Sequence, residues 1–307
     1  MQDLMGDMDI AFPHLHIYLT DVPKSFMIGN FSIAMYGIII AIAMLCGMLM
    51  AANIAKKTKQ DPNLYWDIAL WLIIFSVIGA RIYYVIFFWD AYKDNLFQVF
   101  NLRGGGLAIY GGVIGGVLTA VVYCRIHKLN LFRVLDTAAY GLVLGQIIGR
   151  WANFFNREVF GEYTDGLLAM RLPLTMVRER DITADLASHI AAGTNYIQVH
   201  PTFLYESLWN VGVLVLMLLW LKHKKFNGEI TLWYFAGYGI GRSWIEYIRT
   251  DQLYLPGTAI PVSMVLGILM AAVSILIDVI VRVFIAKGRL LPTKWEDDAP
   301  VKKPEEA

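Results

Sequence analysis

Three arginines fall inside apolar stretches: Arg81 in Gly79-Ala80-Arg81-Ile82-Tyr83, Arg150 in Gly149-Arg150-Trp151, and Arg242 in Gly241-Arg242-Ser243. A guanidinium in hydrocarbon costs about 2.5–3.5 kcal/mol on insertion scales, so each needs an anion, a wet cavity or a path to the interface. The planar fork of arginine donors matches a phosphate, and one reading is a clamp for a lipid phosphate. The competing reading is snorkelling, or pairing with Glu206 and Glu246. Helical spacing gathers further polar groups around two of them. Tyr238, Arg242, Glu246 and Arg249 recur at i, i+4, i+8 and i+11, and Arg150, Asn153 and Arg157 at i, i+3 and i+7. Such stripes turn toward a cavity or form an ion-pair ladder; they do not face lipid. His200 opens the run His200-Pro201-Thr202-Phe203-Leu204-Tyr205-Glu206, where it could serve as a base or as an interfacial histidine. No GxSxG elbow, no metal-ligand spacing and no strand–helix glycine loop is present, so hydrolase, metal and dinucleotide chemistry find no support.

The elements that hold these side chains are apolar helices. The chain has 307 residues, 57% hydrophobic and only 17% charged, with a mean hydropathy of +0.53. That composition excludes disorder and disfavours a soluble fold. Seven apolar runs approach or exceed the ~17 residues needed to span a bilayer: Phe31–Ala52, Leu64–Phe88, Leu107–Tyr123, Val134–Phe155, Phe203–Leu221, Ile230–Ile248 and Ile260–Ile285. Alternate connections carry Lys56, Lys57 and Lys59, then Arg125, Lys128 and Arg133, then Lys222, Lys224 and Lys225, and the C-terminal end adds Arg282, Lys287, Arg289, Lys294, Lys302 and Lys303. Positive residues favour the cytoplasmic side, which predicts N-terminus outside and C-terminus inside. In that orientation Arg81, Arg150 and Arg242 all lie near the outer ends of their helices.

The expected architecture is an all-α membrane protein of seven transmembrane helices. It has an outer N-terminal segment over 1–30, a spanning domain over 31–290 that includes an outer-face loop or cap at 156–200, and a disordered cytoplasmic tail over 291–307. Asp3, Asp7 and Asp9 with no early Lys or Arg argue against a cleavable leader. Cys46 and Cys124 sit in or beside apolar runs and suggest no disulfide framework. The net charge of +1 gives no reason to expect nucleic acid. Gly111/Gly115, Gly112/Gly116 and Gly141/Gly145/Gly149 are spaced for close helix packing, and Gly104-Gly105-Gly106 suggests irregular backbone entering the third span.

One run resembles a known signature. Gly149-Arg150-Trp151-Ala152-Asn153-Phe154-Phe155-Asn156-Arg157-Glu158-Val159-Phe160-Gly161 is similar to that of the prolipoprotein diacylglyceryl transferases. Gly105-Gly106-Leu107-Ala108-Ile109-Tyr110-Gly111-Gly112, the His200–Glu206 run, and Gly237-Tyr238-Gly239-Ile240-Gly241-Arg242 with Glu246 and Arg249 match in order, and Tyr36 and Arg81 fall at family-like positions. The resemblance implies a bacterial cytoplasmic-membrane enzyme with its site toward the outer face. It would move the diacylglyceryl group of phosphatidylglycerol onto the lipobox cysteine of a prolipoprotein, with no metal or other cofactor. By carry-over Arg150 and Arg242 hold the headgroup, with Glu246 and Tyr110 as further catalytic candidates. Tyr36, Arg81, Asn153, Glu158, Gly161, Tyr238 and His200 would complete the lipid site. Tyr110 stands where many members have a histidine that is a candidate base. Neutral tyrosine, with a pKa near ~10, is a poor base at neutral pH, so Glu246, His200 and the substrate phosphate stay open as proton acceptors. The rival from another class is a transporter or flippase for an anionic lipid.

Overall fold

The computed structural model describes residues 4–101 and 105–295. The expectation for the charged C-terminal stretch from Glu296 onward, and for Gly104 of the glycine triplet, therefore lies outside the described residues. Among the described residues seven long helices are present: α1 Met35–Lys57, α2 Pro62–Phe87, α3 Ile109–Ile126, α4 Leu131–Asn156, α6 Thr202–Trp220, α7 Glu229–Ile248 and α8 Val262–Ala286, with a short α5 at Ala184–Ser188. Among the described residues six of these are long and apolar enough to cross a membrane; α7 is as long but too polar to qualify. The protein is thus a mostly helical, multi-pass membrane protein. Only 17% of the spanning window of α2 and of α8 is buried, as expected of surfaces that face hydrocarbon, whereas α4 reaches 44%. The most enclosed helix is the one that carries Arg150 and Asn153.

Helix boundaries follow local chemistry. Asp61 caps α2, its carboxylate accepting from Asn63 N, and Pro62 occupies the first turn, where a missing N–H is harmless. Gly288, at φ +68°, closes α8 in the left-handed conformation that lets Arg289 N reach back to Phe284 O.

The chain divides into two compact units, one of Met1–Gly47, Ala139–Lys225 and Glu229–Pro292, the other of Met48–Ala138, Phe226–Gly228 and Thr293–Ala307. In the second unit α2 and α3 pack backbone against backbone. A Cβ on Gly79 would lie 2.5 Å from Gly111 O, so the glycine spacing serves close approach. At the other end of this unit Arg133 is buried and donates to Thr58 O and to Trp295 O. Trp295 is itself buried.

In the first unit, α4 and α6 run antiparallel, as the bonds Tyr140 Oη to Met217 O and Ser207 Oγ to Ile147 O show. Gly239 and Gly267 bring α7 and α8 into backbone contact, a Cβ on Gly239 falling 2.5 Å from Gly267 O. The described residues are mostly helical, in keeping with the expected all-α membrane protein, and they also carry short strands. The N-terminal segment supplies β1 Ile10–Phe12 and β2 Ile17–Leu19 and the 156–200 connection supplies β5 Met170–Pro173 and β6 Tyr196–Val199, which form a four-stranded sheet in the order β2-β1-β5-β6. Met170 pairs with Val199 and Leu172 with Ile197, and these four side chains are buried while Arg171 and Gln198 between them are not. This period-2 face packs with Ile10, Phe12, Phe154, Phe160, Leu186 and Phe203 in one core. A hairpin of β3 Ser25–Ile28 and β4 Phe31–Ala34 precedes α1, so Phe31–Ala34, expected as the start of the first span, is strand instead.

Candidate active site

Arg150, near the end of α4, and Arg242, in α7, reach the same acid. Arg150 Nη2 lies 2.6 Å from Glu206 Oε2, and Arg242 Nη1 lies 3.4 Å from Glu206 Oε1. Glu206 sits in the second turn of α6 with its side chain only 4% exposed, so three helices converge on one buried carboxylate. Arg242 Nη2 pairs with Glu246 Oε2 at 2.7 Å, one turn along α7. Arg249 approaches both glutamates, at 3.9 and 3.5 Å, and holds Asp251 in a two-pronged contact through Nε (2.8 Å) and Nη2 (2.7 Å). Burial alone would raise the Asp251 carboxyl, but the Arg249 hydrogen bonds and charge win and hold it below the usual carboxylate range. The stripe of Tyr238, Arg242, Glu246 and Arg249 is therefore both a shared face and a ladder of ion pairs. Tyr238, Glu206, Asn210, Trp209 and Arg242 line a cavity of ≈ 10 Å³ between α6 and α7.

The Asn153–Gly161 run turns sharply after α4. Asn153 Nδ2 and Asn156 Nδ2 both donate to Glu158 Oε1, at 3.2 and 3.3 Å, and Glu158 Oε2 takes Arg178 at 2.7 Å. Arg157 and Val159 adopt left-handed backbone, φ +53° and +60°, a costly conformation for a β-branched residue. What holds the turn is a set of cross-links. Arg157 is 2% exposed and donates to Phe155 O, Met8 O and Val22 O, and Thr202 Oγ1 donates to Val159 O. Gly161 threads between α7 and the start of α6: its N–H donates to His200 O at 3.0 Å, and a Cβ there would meet Ile248 O at 2.6 Å. His200 Nδ1 is 3.1 Å from the Tyr205 hydroxyl, and burial pushes the imidazole below its usual value.

Tyr36, Tyr110 and Arg81 complete the expected residues. Tyr36 is in the first turn of α1, 38% exposed. Tyr110 belongs to α3 in the other unit, exposed, its ring 6.4 Å from Tyr83. Arg81 departs from the expectation that it, like the other two, awaits an anion. Its Nε donates to Val99 O, Nη1 to Gly105 O and Gly106 O, and Nη2 to Gln98 O and Asn101 O, at 2.7–3.0 Å. Arginine has five N–H donors, and all five are engaged, which leaves none for a phosphate. Sequence reasoning weighed Glu206 only as a partner in the ion-pair alternative and passed over Asp251. The signal was available, because charges placed in a membrane come paired.

Fold and site define a class, a multi-pass membrane protein in which arginines from α4 and α7 meet at one buried carboxylate. The comparisons narrow that class. Residues 23–280 match the family described as prolipoprotein diacylglyceryl transferase. A phosphatidylglycerol–prolipoprotein diacylglyceryl transferase of Listeria innocua is 41% identical over 255 residues, 82% of this chain and 87% of the relative. Similarly named proteins of Clostridioides difficile (40% over 233 residues, 75% and 84%) and Acaryochloris marina (39% over 241 residues, 78% and 84%) are also similar. The chain belongs to the prolipoprotein diacylglyceryl transferase family and is a transferase of lipoprotein biosynthesis.

Proposed function

We propose that this protein transfers the diacylglyceryl group of phosphatidylglycerol to the lipobox cysteine of a prolipoprotein, the first step of lipoprotein maturation. The observation that carries the reading is the convergence of Arg150 and Arg242 on Glu206 in a chain of this family. Arg150 makes a single ion pair and Arg242 two, so both keep N–H groups for a phosphate.

The cysteine sulfur attacks the glyceryl carbon, the carbon–oxygen bond to phosphate breaks, and glycerol phosphate leaves as the thioether forms. Negative charge grows on the departing phosphate, where guanidiniums already fixed in a water-poor site act most strongly. The thiol proton must leave as well, because thiolate is the nucleophile. Glu246 beside Arg242, His200 and the substrate phosphate are its candidate acceptors, with Tyr110 a catalytic candidate that hydrogen-bonds the headgroup. Tyr36, Asn153, Glu158, Gly161 and Tyr238 shape the lipid site in this reading, whereas the saturated Arg81 serves the backbone around Gly105. The seven long helices are read as spans in the bacterial cytoplasmic membrane, N-terminus outside and C-terminus inside. The sheet-bearing segments 1–30 and 156–200 then lie on the outer face, above a spanning domain of 31–290. Membrane lipids and a lipobox segment are the partners, with no nucleic acid. A transporter for an anionic lipid would use the arginines equally well, but the family match does not favour it.

The test is to incubate the protein with phosphatidylglycerol and a lipobox peptide and to weigh the peptide by mass spectrometry. A gain of one diacylglyceryl group on cysteine is expected. Transbilayer lipid movement with no adduct would reject the reading.

A further inference from the structure

Gln146 lies one turn before Arg150 on α4, and Tyr234 two turns before Arg242 on α7. Gln146 Nε2 donates to the Tyr234 hydroxyl at 2.8 Å. Tyr234 is 7% exposed, and its ring stacks on that of Tyr238, centroids 6.0 Å apart at 25°. Gln146 Oε1 is buried with no hydrogen-bond partner among the described residues, so the bond to Tyr234 is the one polar tie of this side chain. A helix rises about 6 Å per four residues, and residues four apart share a face. The Gln146–Tyr234 bond and the Arg150–Glu206–Arg242 bridge are therefore successive cross-links on the same pair of facing stripes.

We propose that Gln146 and Tyr234 are a positioning pair for the proposed transfer reaction. Their bond fixes the spacing of α4 and α7 just before the guanidiniums, and Tyr234 passes that constraint to Tyr238 and Arg242 by stacking. Arg150 and Arg242 are thereby held at the separation needed to grip one phosphate from two sides. Both residues act through the arginines; neither touches the reacting atoms. The inference rests on the proposed reaction, in which charge grows on the leaving phosphate, so a slackened pair loses more in the transition state than in the bound lipid.

The experiment compares the thioether yield of wild type, Gln146→Met, Tyr234→Phe and the double variant in phosphatidylglycerol–detergent micelles, with kcat and KM for the lipid resolved and thermal melting followed alongside. Each single variant keeps the volume and removes the bond. Each is expected to lower kcat about tenfold with KM for the lipid within about twofold, and the double variant to show the same tenfold loss, because one bond is lost in all three. Single variants with wild-type kcat, losses that multiply in the double variant, or a fall in kcat matched by loss of folded protein would overturn the proposal. A wild-type protein that forms no thioether rejects the reaction itself, independently of the variants.

Discussion

Arg81 and Arg150 begin alike, each a guanidinium on an apolar helix, and end in opposite conditions. Around Arg81 the chain supplies five carbonyl oxygens within a stretch of nine residues, Gln98 to Gly106. Around Arg150 it supplies one carboxylate oxygen, and that carboxylate is shared with Arg242. The first arrangement satisfies every donor and organises backbone. The second neutralises charge while leaving donors over. The number of donors left over, more than burial or depth, separates an arginine that holds a loop from one equipped to hold a ligand.

The comparison breaks first at the arginines with spare donors. Arg150→Ala and Arg242→Ala are expected to lower the lipidation rate by about 10²–10³, the cost of removing a donor aimed at developing charge. Single-turnover assays on a lipobox peptide measure it, and near-normal rates in both would remove them from the chemistry. Arg81→Met should act on stability instead. Five carbonyls lose their donor together, so a loss of at least about 3 kcal/mol is expected, with hydrogen exchange accelerating around residues 98–106. A variant that melts normally yet fails to transfer lipid would merge the two regions and reverse the distinction. Glu206→Gln sharpens it further. The amide keeps one acceptor but drops the charge that Arg150, Arg242 and Arg249 all approach, and a stability cost of about 1–3 kcal/mol is expected in denaturant titrations.

The smallest effect is the acid limb. Burial pushes the His200 imidazole down, so the folded chain resists a proton that the unfolded chain accepts near pH ~6.5. Stability from this group is then complete above that value and declines as pH falls through it. Melting curves of wild type should drop below pH ~6.5, and His200→Gln should flatten that drop while leaving the later acid loss carried by Asp251, whose carboxyl is held low.

Much of this was legible in the residues. Long apolar runs place helices well because the bilayer demands length and hydropathy together, and the stripe at Tyr238, Arg242, Glu246 and Arg249 survives as a real face. The fate of Arg81 was not legible. Its partners are main-chain carbonyls, which every residue carries, and only Gly105 and Gly106, at φ +83° and +79°, marked the loop as irregular. The four-stranded sheet was hidden because its strands are three or four residues long and its central pairing, Ala11 with Arg171, crosses more than a hundred residues. Alternation over so short a stretch carries almost no periodic signal. Gln146 and Tyr234 escaped notice because an amide and a phenol on separate helices announce nothing until the helices are side by side.

The network on α4, α6, α7 and the residues just after α7 balances its charges: Arg150, Arg242 and Arg249 face Glu206, Glu246 and Asp251. In the proposed reaction a lipid phosphate takes the N–H groups that these ion pairs leave over, and finds no surplus of positive charge waiting for it. The resident carboxylates keep the guanidiniums paired when the phosphate product of that reaction departs. Affinity is tempered in both directions, which is what repeated turnover asks of a site whose substrate and product carry the same anionic group.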